Sequence, residues 1–177
     1  RLTNEGERIT YLQGWKPAYA MGSYRTCANP GIGMLGFITA KSMGGDFTFL
    51  MENVLLPALG MQNTFINVPE ARAGDYAQGY SPDSASVRLR KAVLSPEAYG
   101  VKSTAADLLR FLEINMERTR LEEPFQKAVT RTHTGYFSAG EMIQALIWEE
   151  YHWPVSIEAL LKGSSPDMVL KPVQVKK

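Results

Sequence analysis

The stretch Cys27-Ala28-Asn29-Pro30-Gly31-Ile32-Gly33-Met34-Leu35-Gly36 places the tightest constraint on how this chain folds. It contains G-x-G-x-x-G, the spacing with which dinucleotide-binding domains cradle a pyrophosphate. That fingerprint needs a buried strand before it and a helix opening inside it. The preceding YAMGSYRTC lacks the β-branched or aromatic run of a core strand, and Met21-Gly22-Ser23 reads as a turn. Asn29 followed by Pro30 marks a helix start instead, because Asn accepts a backbone N–H at the N-cap and proline fits the first helical position. Gly31, Gly33 and Gly36 then fall inside the helix, with Ile32, Leu35, Phe37 and Ile38 at helical spacing. Gly33 and Gly36 are expected to let another element approach closely, and the nucleotide reading is set aside.

Downstream, DFTFLMENVLLPALG predicts an amphipathic helix. Asp46 is its N-cap, Leu50, Met51, Val54, Leu55 and Leu59 its apolar face, Pro57 a kink and Gly60 the stop. From Gln62 to Pro96 the periodicity dissolves, a span long enough to suggest a functional or wrapping loop. Thr104-Ala105-Ala106-Asp107 resembles a capping box opening a helix, with Leu108, Phe111 and Leu112 on one face and Leu109 and Met116 beside it. Further helices are expected through Pro124, Phe125, Ala128 and Val129, and from Ile157 to Lys162 with Ser156 as cap and Gly163 as stop. Short strands are expected near Thr64 to Val68 and Met142 to Trp148. The fold class is therefore mainly α with a few short strands, read as one region over residues 1–177.

Composition excludes several function classes. Of the 177 residues 45% are hydrophobic and 21% charged, with a net charge of +1, so no nucleic-acid partner is implied. The densest basic cluster, Arg88, Arg90 and Lys91, lacks interleaved aromatics in sequence and reads as a solvated loop. The single cysteine rules out an internal disulfide and a cysteine-based metal cluster. His133 and His152 have no ligand spacing around them and read as polar packing residues, so neither a metal nor a cofactor is expected. No apolar run reaches the length of a membrane span, and no signal segment opens the chain.

CANPGIGMLG with the upstream GWKPAYAMGSYR is similar to the Y-[AS]-N segment of class C β-lactamases. LMENVLLPALGMQNTFINVP, YAQGYSPD, LSPEAYGVKSTAADLLRFLEINM, THTGYFSAGEM and LIWEEYHWPVS resemble further segments of that family in the same order. The resemblance runs from about Tyr11 to the end of the chain. It implies the helical part of the α+β serine β-lactamase and DD-peptidase fold, whose active site lies between a helical and a sheet domain. It also implies a periplasmic or secreted protein and a β-lactam or related small molecule as ligand.

In that family a serine of S-x-x-K attacks the lactam carbonyl, a K-[ST]-G strand binds the substrate carboxylate, and water hydrolyses the acyl-serine. None of the serines here begins an S-x-x-K, and Lys102-Ser103-Thr104 lacks the glycine of K-[ST]-G. The resemblance puts both motifs in flanking segments and makes this chain alone inactive. The alternative is a catalytically silent helical binding or structural module derived from the family. Asn29 matches the asparagine that contacts the substrate's side-chain amide, Tyr99 an aromatic lining the cleft, and Glu149 a carboxylate near it. Cys27 stands where the family has the tyrosine that assists proton transfer, and a thiol is shorter and more acidic than a phenol. As a free cysteine it reads as a buried bystander. Ala145 and Ile147 stand where the family usually has glycines, positions at which a larger side chain crowds the backbone. Without a sheet domain the helices would leave apolar surface exposed, so self-association is also expected.

Overall fold

The computed structural model describes residues 4–177. In chain order the elements are α1 (Glu5–Gly14), β1 (Tyr24–Arg25), α2 (Asn29–Ser42), α3 (Phe47–Leu50), a π-helical turn (Met51–Leu55) and α4 (Leu56–Ala58). A 3₁₀ turn (Glu70–Asp75), β2 (Gly79–Tyr80), β3 (Ser86–Val87), α5 (Ser95–Tyr99), α6 (Ala105–Asn115) and α7 (Glu123–Thr132) follow. The chain closes with β4 (Phe137–Ala139), β5 (Met142–Gln144), β6 (Glu149–Glu150), α8 (Ile157–Gly163), α9 (Pro166–Leu170) and β7 (Val173–Gln174). These helices with a few short strands match the fold class read from the sequence. They gather into two compact units. The first takes residues up to Gly14 with Asn29–Leu112, the second Trp15–Ala28 with Glu113–Lys177.

In the first unit α2 packs on α5, and the glycines show why. A methyl added at Gly33 would stand 2.6 Å from Leu94 Cβ, and one at Gly36 would stand 2.8 Å from Glu97 Cβ and 3.1 Å from the Phe47 ring. Leu94 is brought to that seat by a left-handed backbone, φ 64°, at the start of α5. Asp46 caps α3 as expected, its carboxylate accepting from the Phe49 N–H at 3.1 Å. The bend expected at Pro57 is preceded by the π turn, where one added residue per turn widens the coil. Gly60, at φ 71°, ends the run, and Arg110 Nε donates to the terminal Leu59 carbonyl at 2.6 Å. That places a cation on the negative end of the helix dipole.

Thr104 caps α6 by accepting the Asp107 N–H, but the Asp107 side chain does not complete a capping box. It turns into the unit, accepting from Thr64 Oγ1 at 2.7 Å and the Asn63 N–H at 2.8 Å. Asp107 is accordingly buried, whereas Leu108, Leu109, Leu112 and Met116 lie exposed. The expected strand at Thr64 to Val68 is a single bridge, Phe65 with Lys102. The long stretch before α5 is ordered by the 3₁₀ turn and the β2–β3 hairpin.

The second unit holds a three-stranded antiparallel sheet, β4-β5-β6, and the pair β1-β7. Ala139, Met142 and Val175 form its core, joined by Phe137, Tyr151, Met168 and Val173. Met142 to Trp148, expected as one strand, divides into β5 and a turn leading to β6. Ser156 caps α8 by accepting the Ala159 N–H at 3.1 Å. Gly163 is the last helical residue rather than a stop beyond the helix, and a methyl there would overlap the Tyr151 hydroxyl, 1.6 Å away.

Candidate functional site

Asn29 and Tyr99 both belong to the first unit. Asn29 opens α2 and Tyr99 closes α5, so the glycine-mediated contact of these helices fixes the backbone under both side chains. Tyr99 is exposed. Cys27 lies two residues before Asn29, just beyond β1, in the second unit. It is exposed. This corrects the expectation of a buried thiol: the short irregular link of residues 26–28 between β1 and α2 is exposed throughout and sends no side chain into either core.

Glu149 also belongs to the second unit, and its neighbours explain the direction of its carboxylate. Successive strand residues face opposite ways. In β6, Glu149 accepts an ion-paired hydrogen bond from Arg25 of β1, while Glu150 meets His133 Nδ1 at 3.0 Å. Arg25 is anchored a second time, donating to the Met168 carbonyl at 3.0 Å. His133 Nε2 stands 3.0 Å from Asn115 Oδ1, and its ring stacks on Trp148 at 4.9 Å between centroids. His133 is thus a packing histidine with both ring nitrogens used. Glu149 is ion-paired rather than simply solvated. Sequence reasoning missed Arg25, which stands 124 positions away and becomes Glu149's partner only through folding.

The turn between β5 and β6 contains Ala145 and Ile147, the two positions at which the family resemblance implies glycine. Ile147 is held at φ 73°, a conformation that glycine adopts freely and a β-branched residue resists. Ala145 is buried, its N–H donating to the Trp148 carbonyl at 2.9 Å. The turn keeps the path a glycine would allow, although isoleucine now occupies it.

The β-lactamase family model matches residues 2–167. A β-lactamase of Pseudomonas fluorescens is 44% identical over 172 residues, covering 97% of this chain and 48% of the relative. A β-lactamase of Lysobacter lactamgenus is 46% identical, covering 97% of this chain and 44% of the relative. The crystal structure of a D-alanine carboxypeptidase AmpC from Burkholderia cenocepacia superposes with a TM-score of 0.94 at 50% identity, covering 98% of this chain and 50% of that one. A class C β-lactamase in complex with cefoxitin gives 0.93 at 40% identity, covering 99% and 49%. The chain spans about half the length of the curated relatives it matches. Sequence and backbone trace agree: this chain belongs to the β-lactamase family, with the fold of the matching part of its class C members.

Proposed function

We propose that this chain supplies the substrate-binding side of a class C serine hydrolase that opens the β-lactam amide through an acyl-serine. In that reaction a serine oxygen adds to the lactam carbonyl carbon, the C–N bond breaks, the ring nitrogen takes up a proton, and water releases the acid. Asn29 holds the side-chain amide of the substrate, Tyr99 offers its ring to the same molecule, and Glu149 acts near the cleft through the charge it shares with Arg25. The 177 residues contain no S-x-x-K and no K-[ST]-G, so the chain by itself is inactive. The family's setting makes it a periplasmic or secreted protein. Peptides ending in D-alanine undergo the same acyl chemistry and are the second substrate class to test, since one similar structure is named a D-alanine carboxypeptidase.

The observation that supports this reading best is Asn29 at the first position of α2, two residues after Cys27, in a chain that superposes on a class C β-lactamase bound to cefoxitin. Cys27 limits it. The thiol is too short to reach where a phenol oxygen would and leaves proton transfer unassisted. The test is hydrolysis of a chromogenic cephalosporin and of a D-alanyl-D-alanine peptide, with intact mass to detect an adduct. The 177-residue chain is expected to give neither turnover nor adduct. Fused to the segments of the Pseudomonas fluorescens relative that this chain does not span, it is expected to acylate, and Cys27→Tyr to raise turnover by about tenfold to a hundredfold or more. A fusion that folds yet never acylates would favour the silent module. Turnover by the chain alone, abolished by Cys27→Ser, would make Cys27 the nucleophile and overturn the proposal.

A further inference from the structure

The chain between Ile66 and Lys102 lines an open cavity of about 540 Å3 within the first unit. That volume falls in the range of small-molecule sites, roughly 300 to 1,000 Å3. Its walls carry four cationic side chains, Arg88, Arg90, Lys91 and Lys102, and no carboxylate. The rest of the lining is largely apolar, with the Tyr76 ring among it. Folding thus gives the basic cluster the aromatic neighbour that the linear sequence withholds: the Arg88 guanidinium lies 4.3 Å over the Tyr76 ring.

Two of the four cations are already held. Arg88 donates to the Ala77 and Tyr76 carbonyls, and Lys102 Nζ donates to the Ile66 carbonyl at 2.7 Å. Arg90 and Lys91 have neither a hydrogen bond nor an ion pair among the described residues, and both are exposed at the wall of the cavity. The carboxylate behind this wall, Glu52, is engaged elsewhere, accepting from the Ile66 and Asn67 N–H groups at 2.7 Å each. Burial, and then the charge of Lys91, hold the Lys102 ammonium below the ordinary lysine range, with Glu52 opposing. The cavity therefore carries more positive charge in its lining than the one carboxylate acting on it, Glu52, offsets. An anion seated there would relieve the repulsion among the cations and meet the uncommitted Arg90 guanidinium, whose fork suits paired hydrogen bonds, with the Lys91 ammonium beside it in sequence.

We propose that this cavity, whose lining includes neither Asn29 nor Tyr99, is a second small-molecule site for an aromatic or otherwise apolar organic anion carrying phosphate or carboxylate. The anionic end lies toward Arg90 and Lys91, and the apolar body lies along Tyr76 and Leu89. The site does not depend on the β-lactam reading.

The test is titration of the 177-residue chain with phenyl phosphate, with phthalate as the carboxylate counterpart, followed by calorimetry and by backbone amide shifts. Phenyl phosphate is expected to bind with shifts centred on Tyr76, Leu89 and Lys102, to weaken with added salt, and to outcompete inorganic phosphate and benzyl alcohol. The double variant Arg90→Gln with Lys91→Gln is expected to bind about tenfold less tightly. Arg120→Gln, an exposed cation outside the lining, is the control and is expected to bind like the parent. Matching circular dichroism and melting temperatures would show that the variants fold. Tighter binding of phthalate than phenyl phosphate would keep the site and assign it to carboxylates. No binding of either probe up to about 10 mM overturns the proposal, as does equal binding by the double variant and the parent. Shifts centred on Asn29 instead of the loop overturn it too.

Discussion

Ile147 shows how a single residue can keep a backbone path that it does not favour. Its φ of 73° lies in the left-handed region, and its side chain is 70% exposed, so little packing compensates for the strain. Removing the side chain is expected to help: Ile147→Gly should raise stability by about 1 kcal/mol, less the added flexibility of glycine in the unfolded chain. A melting temperature that falls would show that Ile147 makes a compensating contact. Tyr151 presents a different residue-scale tension. Its hydroxyl is buried without a hydrogen-bond partner among the described residues, pressed against Gly163. Tyr151→Phe should therefore be neutral or stabilising by about 1 kcal/mol in denaturant unfolding. Burial, and then Glu149, raise the phenol above its ordinary value of 10.0. The folded state thus keeps this proton after the unfolded chain has released it. Its stabilising contribution is complete below pH 10.0 and falls as pH climbs toward the raised value. The phenylalanine variant should lose less stability than the parent over that alkaline range, and parallel losses would count against the assignment.

At the scale of elements, the contact of α2 with α5 depends on what Gly33 and Gly36 lack. Gly33→Ala would push a methyl to 2.6 Å from Leu94 Cβ, and overpacking of this kind costs about 1 to 3 kcal/mol. The shift should appear in amides of both helices, because Leu94 lies at the start of α5 and Tyr99 at its end. Chemical shifts confined to α2 would show that α5 does not bear the strain. The capping of α6 teaches a complementary lesson. Thr104 performs its local role, which a three-residue spacing suffices to specify. Asp107 does not, because the buried Thr64 hydroxyl and the half-buried Asn63 N–H, more than forty positions away in sequence, offer it two donors. A carboxylate with two such donors is held more firmly than one solvated at a helix end. Nothing in the local pattern distinguishes the two fates.

The whole molecule leaves much apolar surface open. Leu108, Leu109 and Leu112, neighbours on α6, are exposed, and Trp153, Leu161 and Leu170 are each exposed in the second unit. Contiguous apolar surface associates in water. The chain is therefore expected to elute as a dimer or larger species in size-exclusion chromatography with light scattering, and to dissociate in mild detergent. A monomer that stays monomeric at high concentration would count against this. No helix among the described residues is long and apolar enough to cross a membrane.

The sequence by itself determined the caps at Asp46, Thr104 and Ser156 and the close-packing glycines at 33 and 36. Asn29, expected as a cap, is itself the first residue of α2. The sequence also supported the family assignment, because caps and glycine seats are written within a few neighbouring residues. Tertiary structure alone decided that Glu149 finds Arg25, that Asp107 leaves its cap for Thr64, and that Cys27 is exposed. It also brought Tyr76 under Arg88 in a cationic cavity. These outcomes depend on which distant donors, rings and carbonyls folding brings within about 3 to 4 Å, and a chain read along its length does not contain that distance.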